Sequence, residues 1–332
     1  MKHFTTIYDV PDPNKLIEEA IQLKQKPFAF SELGKGKTIG LIFMNPSLRT
    51  RLSTQKAAKL LGMEVMIMNL DKESWAIEWN DDVIMNGNTV EHIKDAAAVL
   101  GSYCDIIGMR CFPTLTNKQL DYSEKILIQL MKYCNVPVVS LESATLHPLQ
   151  SLADAVTIKE NWKQNHKPKV VLTWAPHIKT LPQAVPNSFA EWMTKLNVDF
   201  TITHPEGYEL CEDYTKGATI EYNQEKALQD ADFVYVKNWS AYHEYGLMPK
   251  VKDKWMMDLD KYQLTNNAGI MHCLPVRRDV ELSSKLIDHP NSLIQQQAAN
   301  RVYSAQAVLK NILMKLPAEQ QMSIENLSLE EA

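Results

Sequence analysis

Long apolar runs are missing from these 332 residues. Thr-Ile-Gly-Leu-Ile-Phe-Met, 38–44, is among the longest, far short of the roughly 20 residues a membrane-spanning helix needs. The first fifteen residues also lack the apolar core of a signal peptide, so neither membrane nor export is expected. Cysteine is scarce: Cys104, Cys111, Cys134, Cys211 and Cys273 are odd in number and lack Cys-x-x-Cys spacing. That excludes a disulfide framework and a zinc site, leaves no metal to expect, and fits a reducing cytoplasm. Positive charge is not in excess, since a net charge of −5 disfavours a general nucleic-acid binder. Glycines are few and form neither a Walker loop nor a Gly-x-Gly-x-x-Gly turn, so a nucleotide is not the natural ligand. There is no internal repeat and no low-complexity tract.

What is present is an alternation of short branched-residue runs with helical stretches, the pattern of βαβ units. Strands are predicted at 37–44, 64–70, 105–110 and 136–142, with helices over 51–61, 91–100 and 147–162. Leu52, Ala57, Leu60 and Leu61 are available for the inner side of the first of these helices. After the connection at 163–169 the alternation restarts. Strands are expected at 169–174, 199–204, 232–237 and 268–274, with helices near 186–196 and 221–228. A final helix, 298–316, carries Val302, Ala305, Val308, Leu309 and Ile312 at helical spacing. The acidic tail at 317–332 reads as a frayed end. A chain this long exceeds one comfortable core. The fold class expected is α/β: two Rossmann-like domains, each a mostly parallel sheet flanked by helices, with the active site in the crevice between them.

In that setting Asn-Pro-Ser-Leu-Arg-Thr-Arg, 45–51, is a strand-to-helix junction. First-turn N–H groups lack internal partners, and the helix dipole adds partial positive charge. Ser47, Arg49 and Thr50 complete a pocket for a phosphate, although the cluster taken alone is also an ordinary N-cap. Arg110 stands at another predicted strand end. His147 and Gln150 stand at a second junction, and Cys273 and Leu274 end a later strand before Arg277 and Arg278.

These motifs together resemble the transcarbamylase family, the aspartate and ornithine carbamoyltransferases and their relatives. The matching pieces are Ser-Leu-Arg-Thr-Arg (47–51), His-Pro-Leu-Gln (147–150), His-Cys-Leu-Pro (272–275) and Ala-Asn-Arg (299–301), in order along almost the whole chain. The resemblance implies a carbamoyl phosphate-binding domain at 1–146, completed by the last helix, and an acylornithine-binding domain at 147–297. It also implies a homotrimer. Ser47, Leu48, Arg49, Thr50 and Arg301 are expected on the phosphate. Arg110, His147, Gln150 and Thr50 are expected on the carbamoyl group. Trp75 lies in a loop that in this family can reach a neighbouring subunit's site. Arg110, His147, Thr50 and Cys273 are the expected catalytic residues, Cys273 and Leu274 lying beside the reacting amine. No cofactor is required. The residues do not name the base that takes the proton.

The acceptor is read from departures. Ornithine enzymes carry an acidic Asp-x-Trp motif where this chain has Lys237 within Tyr-Val-Lys-Asn-Trp. A lysine repels a free α-ammonium and suits a carboxylate. The α-amino group is therefore expected to be masked, as in the branch of the family that acts on N-acylornithines. "TWAPH" and "PNSFAEWM" match that branch. Acetyl enzymes carry a glutamate at the position of Val90; succinyl enzymes most often carry proline there. Valine imposes no repulsion on a succinyl carboxylate, so succinyl is favoured and acetyl stays the alternative. Glu142, His177, Lys237 and Arg277 are the remaining residues expected to bind acylornithine, with Lys179 a weaker candidate beside His177. A non-catalytic carbamoyl phosphate-binding paralogue and an ornithine enzyme with an altered loop are the rival readings.

Overall fold

Every strand ladder in the computed structural model, which describes residues 1–316, runs parallel. β1 (Thr38–Phe43) and β2 (Glu64–Asn69) are followed by β3 (Ile77–Glu78) and β4 (Glu91–His92), two short strands that pair with each other. β5 (Ile106–Arg110) and β6 (Val138–Glu142) complete a first sheet of order β2-β1-β5-β6. β7 (Lys169–Trp174), β8 (Asp199–Thr203), β9 (Thr219–Glu221), β10 (Phe233–Lys237) and β11 (Gly269–Met271) form a second, of order β11-β10-β7-β8-β9. Parallel pairing demands crossovers, and helices fill them. The inner strands therefore meet packing on both faces and are apolar almost without a break, as Ile39, Leu41, Ile42 and Phe43 illustrate. The α/β expectation holds.

Each sheet has a point where the chain leaves one side of its first strand and continues on the other. In the first sheet it falls between β1 and β5, in the second between β7 and β10. Loops diverge at such points, and a crevice opens at the strand carboxyl ends. The last helix, Ile294–Leu313, leaves the second sheet and packs on helices Pro148–Asn161, Arg49–Leu60 and Pro13–Gln25. Ala305, Val308, Leu309, Ile312 and Leu313 are buried there, the larger side chains stabilising the docking by about 1.5–3 kcal/mol each.

Boundaries depart from the sequence reading for local reasons. The helix expected at 51 begins at Arg49, and its Leu52 faces outward, more than half exposed. Helix Ile93–Tyr103 starts late because Glu91–His92 pair with β3 and His92 caps the Lys94 N–H. Helix Gln224–Leu228 starts late because Asn223 caps it from the Lys226 N–H. β11 stops at Met271, since the His272 N–H donates to Gln297 Oε1 at 2.9 Å. The final helix starts four residues early, at Ile294. Helices Pro13–Gln25 and Lys125–Tyr133 were not anticipated. The tail read as frayed, 317–332, lies outside the described residues.

Glu191, on helix Ala184–Met193, is buried and accepts from the Ile7 N–H at 3.2 Å, tying the amino-terminal segment to the second sheet's layer. Burial pushes its pKa from 4.5 up to about 7. A carboxyl raised by folding favours the folded state while protonated. That contribution is complete below its unfolded pKa and is lost as pH climbs through the folded one. Glu191→Gln is thus expected to be more stable than the parent at about pH 8, by about 1–3 kcal/mol. The gap should close near pH 4, and urea unfolding at both pH values checks this.

Candidate active site

The loop after β1 delivers Ser47 and Leu48 to the mouth of helix Arg49–Leu60, where Leu48 takes the N-cap position without a side-chain acceptor. His147 caps helix Pro148–Asn161 in the same way, and Pro148 at the first position suits a helix start. Neither helix end spends a side chain on its own first-turn N–H groups. Both ends face one cavity of about 630 Å³ between the two sheets. Leucine and histidine at these caps, neither bonding the helix with its side chain, make sense if the N–H groups serve an external anion.

Arg110, at the carboxyl end of β5, is buried and bridges the first crossover. Its Nη1 donates to the carbonyls of Asn45 at 3.0 Å and Pro46 at 2.5 Å. Its Nε and Nη2 donate to Glu142 Oε2 at 3.3 and 3.0 Å, and its guanidinium lies over the Phe112 ring. Burial pushes the Glu142 carboxyl up, opposed by Arg110 and Arg301. His147 Nε2 stands 3.6 Å from that carboxylate and 3.4 Å from Arg301 Nη2. Burial first, then Arg301 and Arg110, holds His147 well below the ordinary histidine range, so the imidazole is neutral at pH 7. Arg301 donates to Thr50 Oγ1 at 2.5 Å, joining the last helix to helix Arg49–Leu60. Arg49 Nε, His147 Nδ1 and Gln150 Oε1 are buried with no hydrogen-bond partner among the described residues. Such groups in one cavity are a site prepared for a polar ligand.

The second sheet supplies the other wall. Lys237, buried at the end of β10, donates to the Asn238 carbonyl at 3.0 Å. Arg277 Nε donates to His177 Nε2 at 3.1 Å. Arginine can only donate, so Nε2 accepts there, while Nδ1 lies 2.8 Å from the Lys179 carbonyl oxygen and 3.0 Å from the Lys179 backbone nitrogen. Cys273 and Leu274 line the floor; Leu274 has φ of +57°, a left-handed value costly for a branched residue. The turn is pinned by His272, whose Nδ1 accepts from the Leu274 N–H at 2.9 Å. Glu281 holds the next segment by accepting from the Arg277 N–H at 2.7 Å. Five cations (Arg49, Arg110, Lys237, Arg277, Arg301) and one carboxylate, Glu142, line the cavity, an excess of four positive charges.

Fourteen of the sixteen residues expected in the site line this one cavity. Trp75 and Val90 do not. Both are exposed beyond the strands β3 and β4, and the Trp75 indole donates to Glu91 at 2.7 Å. Lys179 is exposed outside the cavity, and Arg51 stacks over Phe43 with a bond to Asn69. Glu142 is engaged by Arg110 and His147, so its first task is to order those groups. Phe112, His272 and Glu281 were not singled out as site residues. His272 lay inside a quoted motif, whereas nothing in spacing marks the other two.

Residues 2–160 match the model of the aspartate/ornithine carbamoyltransferase carbamoyl-P binding domain, and 182–312 that of the Asp/Orn binding domain. The chain belongs to the aspartate/ornithine carbamoyltransferase family. It is 48% identical to the N-succinylornithine carbamoyltransferase of Bacteroides thetaiotaomicron, across 94% of this chain and 99% of that protein. The N-acetylornithine carbamoyltransferase of Xanthomonas campestris is 35% identical, across 93% and 97%. Among solved structures, acetylornithine transcarbamylase with acetylcitrulline superposes with a TM-score of 0.87 at 32% identity, covering 94% and 99%. A glutamate-to-valine mutant of N-acetyl-L-ornithine transcarbamylase, bound to carbamyl phosphate and N-succinyl-L-norvaline, gives 0.86 at 33%, covering 94% and 100%.

Removing the Arg110 side chain leaves Glu142 buried without its nearest cation. Arg110→Ala is expected to cost on the order of 3 kcal/mol of stability, besides any loss of activity. An unchanged denaturation midpoint at neutral pH would show that the pair does not hold the cleft.

Proposed function

We propose that this chain transfers the carbamoyl group of carbamoyl phosphate to the δ-amino group of N-succinyl-L-ornithine, giving N-succinyl-L-citrulline and phosphate. The observation that carries the reading is the cleft's excess of four positive charges. With the δ-amine counted in the neutral form that attacks, carbamoyl phosphate brings two negative charges, the acylornithine α-carboxylate one, and a succinyl terminus another. An acetyl group leaves one cation unmatched.

Residues 1–146 with the last helix bind carbamoyl phosphate, and 147–297 bind the acylornithine. Ser47, Arg49, Thr50, Arg301 and the Leu48 amide hold the phosphate. Arg110, neutral His147 and Thr50 donate to the carbamoyl oxygen, where charge grows as the amine adds. Gln150 addresses the carbamoyl amide. The δ-nitrogen forms the new C–N bond, the C–O bond to phosphate breaks, and the departing phosphate is the net recipient of the amine's proton. Arg49 and Arg301 stabilise it as it leaves. Cys273 and Leu274 orient the amine, Lys237 and Arg277 hold the α-carboxylate and acyl oxygens, and His177 meets the distal carboxylate. Holding two substrates together in a closed crevice supplies most of the acceleration.

A homotrimer completes the site, a neighbouring copy delivering Trp75 and Val90. Its support is the exposed apolar loop of Val83, Ile84, Met85 and Val90, with Ile84 82% exposed. Cytoplasmic arginine biosynthesis is the setting proposed. The N-succinyl-L-norvaline complex of a glutamate-to-valine mutant supports reading Val90 as the residue that admits succinyl.

One panel following formation of the ureido product tests this, with carbamoyl phosphate and ornithine, N-acetylornithine or N-succinylornithine. The highest kcat/KM is expected for the succinyl substrate; no turnover with any acceptor would leave a binding protein. In Val90→Glu the succinyl-to-acetyl kcat/KM ratio should fall at least about tenfold, since a nearby like charge costs more than about 1.4 kcal/mol in a partly desolvated site. An unmoved ratio would remove the electrostatic account.

A further inference from the structure

Below the cleft floor a buried polar cluster joins Gln150 to side chains, Asp154 and Gln297, that the transfer chemistry does not use. Asp154, fully buried on helix Pro148–Asn161, accepts at Oδ1 from Gln150 Nε2 and from Gln297 Nε2, each at 2.7 Å. Gln297 in turn accepts the His272 N–H, so the cluster ties helix Pro148–Asn161 and the segment after β11 to the last helix. Gln150 is one helical turn before Asp154, the spacing at which side chains meet. A carboxamide has a donor end and an acceptor end of nearly the same shape. Asp154 takes the donor end, which leaves Gln150 Oε1 as the end at the cavity, buried and without a partner among the described residues.

We propose that Asp154 is a positioning residue that fixes the Gln150 carboxamide with its oxygen toward the ligand, and so selects a carbamoyl –NH2 over an isosteric carboxylate. An outward oxygen accepts from the amide and repels a carboxylate. Were the carboxamide free to turn over, its –NH2 would welcome the carboxylate instead. Asp154 touches neither substrate; it acts through Gln150. The inference rests on the carbamoyl phosphate reading of the cleft and adds to it the device by which one acyl phosphate is told from another.

Two stable probes isolate the effect: phosphonoacetamide and phosphonoacetate, which differ only in amide against carboxylate. Their dissociation constants are measured calorimetrically at about pH 8 for the parent, Asp154→Leu and Asp154→Asn. In Asp154→Leu the preference for amide over carboxylate should fall about tenfold, the size of one misdirected hydrogen bond. Asp154→Asn loses the charge but keeps an accepting oxygen, and should hold the preference within about threefold of the parent. If Asn moves the ratio as far as Leu, charge and not orientation is responsible, and the proposal fails. It also fails if Leu leaves the ratio unchanged. Should the leucine variant not fold, Asp154→Ala carries the same expectation. A parent that binds neither probe overturns the functional reading, and this inference with it; a parent that binds both while the variants keep its ratio overturns the inference alone.

Discussion

The buried carboxylate of Glu142 is the constraint on which the cleft depends. It is the one anion among five cations lining the cavity, and it spends its Oε2 on Arg110 with His147 close by. A guanidinium buried beside two backbone carbonyls and a carboxylate is fixed in direction, which a donor to a developing oxyanion must be. The same burial and the same arginines keep His147 neutral. Charge placement and rigidity thus follow from one ion pair, while the protonation state of His147 follows from burial, Arg301 and Arg110.

The remaining positive charge is left unbalanced by the protein. Like charges gathered in a crevice lower the stability of the empty fold, and a polyanionic ligand that binds only the folded state returns it. Substrate binding and the stability of the folded cleft are then coupled energetically. The last helix makes that coupling mechanical, because Arg301 bonds Thr50 while Gln297 reaches Asp154 and the His272 amide.

The cleft's surroundings show a division of labour between backbone and side chain. Helix ends capped by Leu48 and His147 leave their N–H groups to the site, whereas Asn223 and Asp12 cap ordinary helices remote from it. The turn after β11 places Cys273 and Leu274 on the floor at a backbone cost that His272 helps to hold. Binding geometry comes from where the chain bends as much as from which side chains it carries.

Much of this was legible in the linear chain. Branched runs separated by helical stretches require parallel pairing and crossovers, so the α/β architecture followed, and strand carboxyl ends had to carry the ligands. Ser47, Arg49, Thr50, Arg110 and His147 were found because strand ends and junctions are short and each motif is local, whereas Arg301, inside the last helix, came from the family resemblance. Other features were not written locally. Leu52 faces outward, and the His92 and Asn223 caps shift helix starts, because tertiary pairing and capping compete with periodicity. The Arg110–Glu142 and Asp154–Gln297 contacts join residues 32 and 143 positions apart. Residue order established which chemical groups exist and which strand ends they occupy. Only folding in three dimensions chose their partners, since burial and the crossing of helices decide which donors find acceptors and which are left for a ligand.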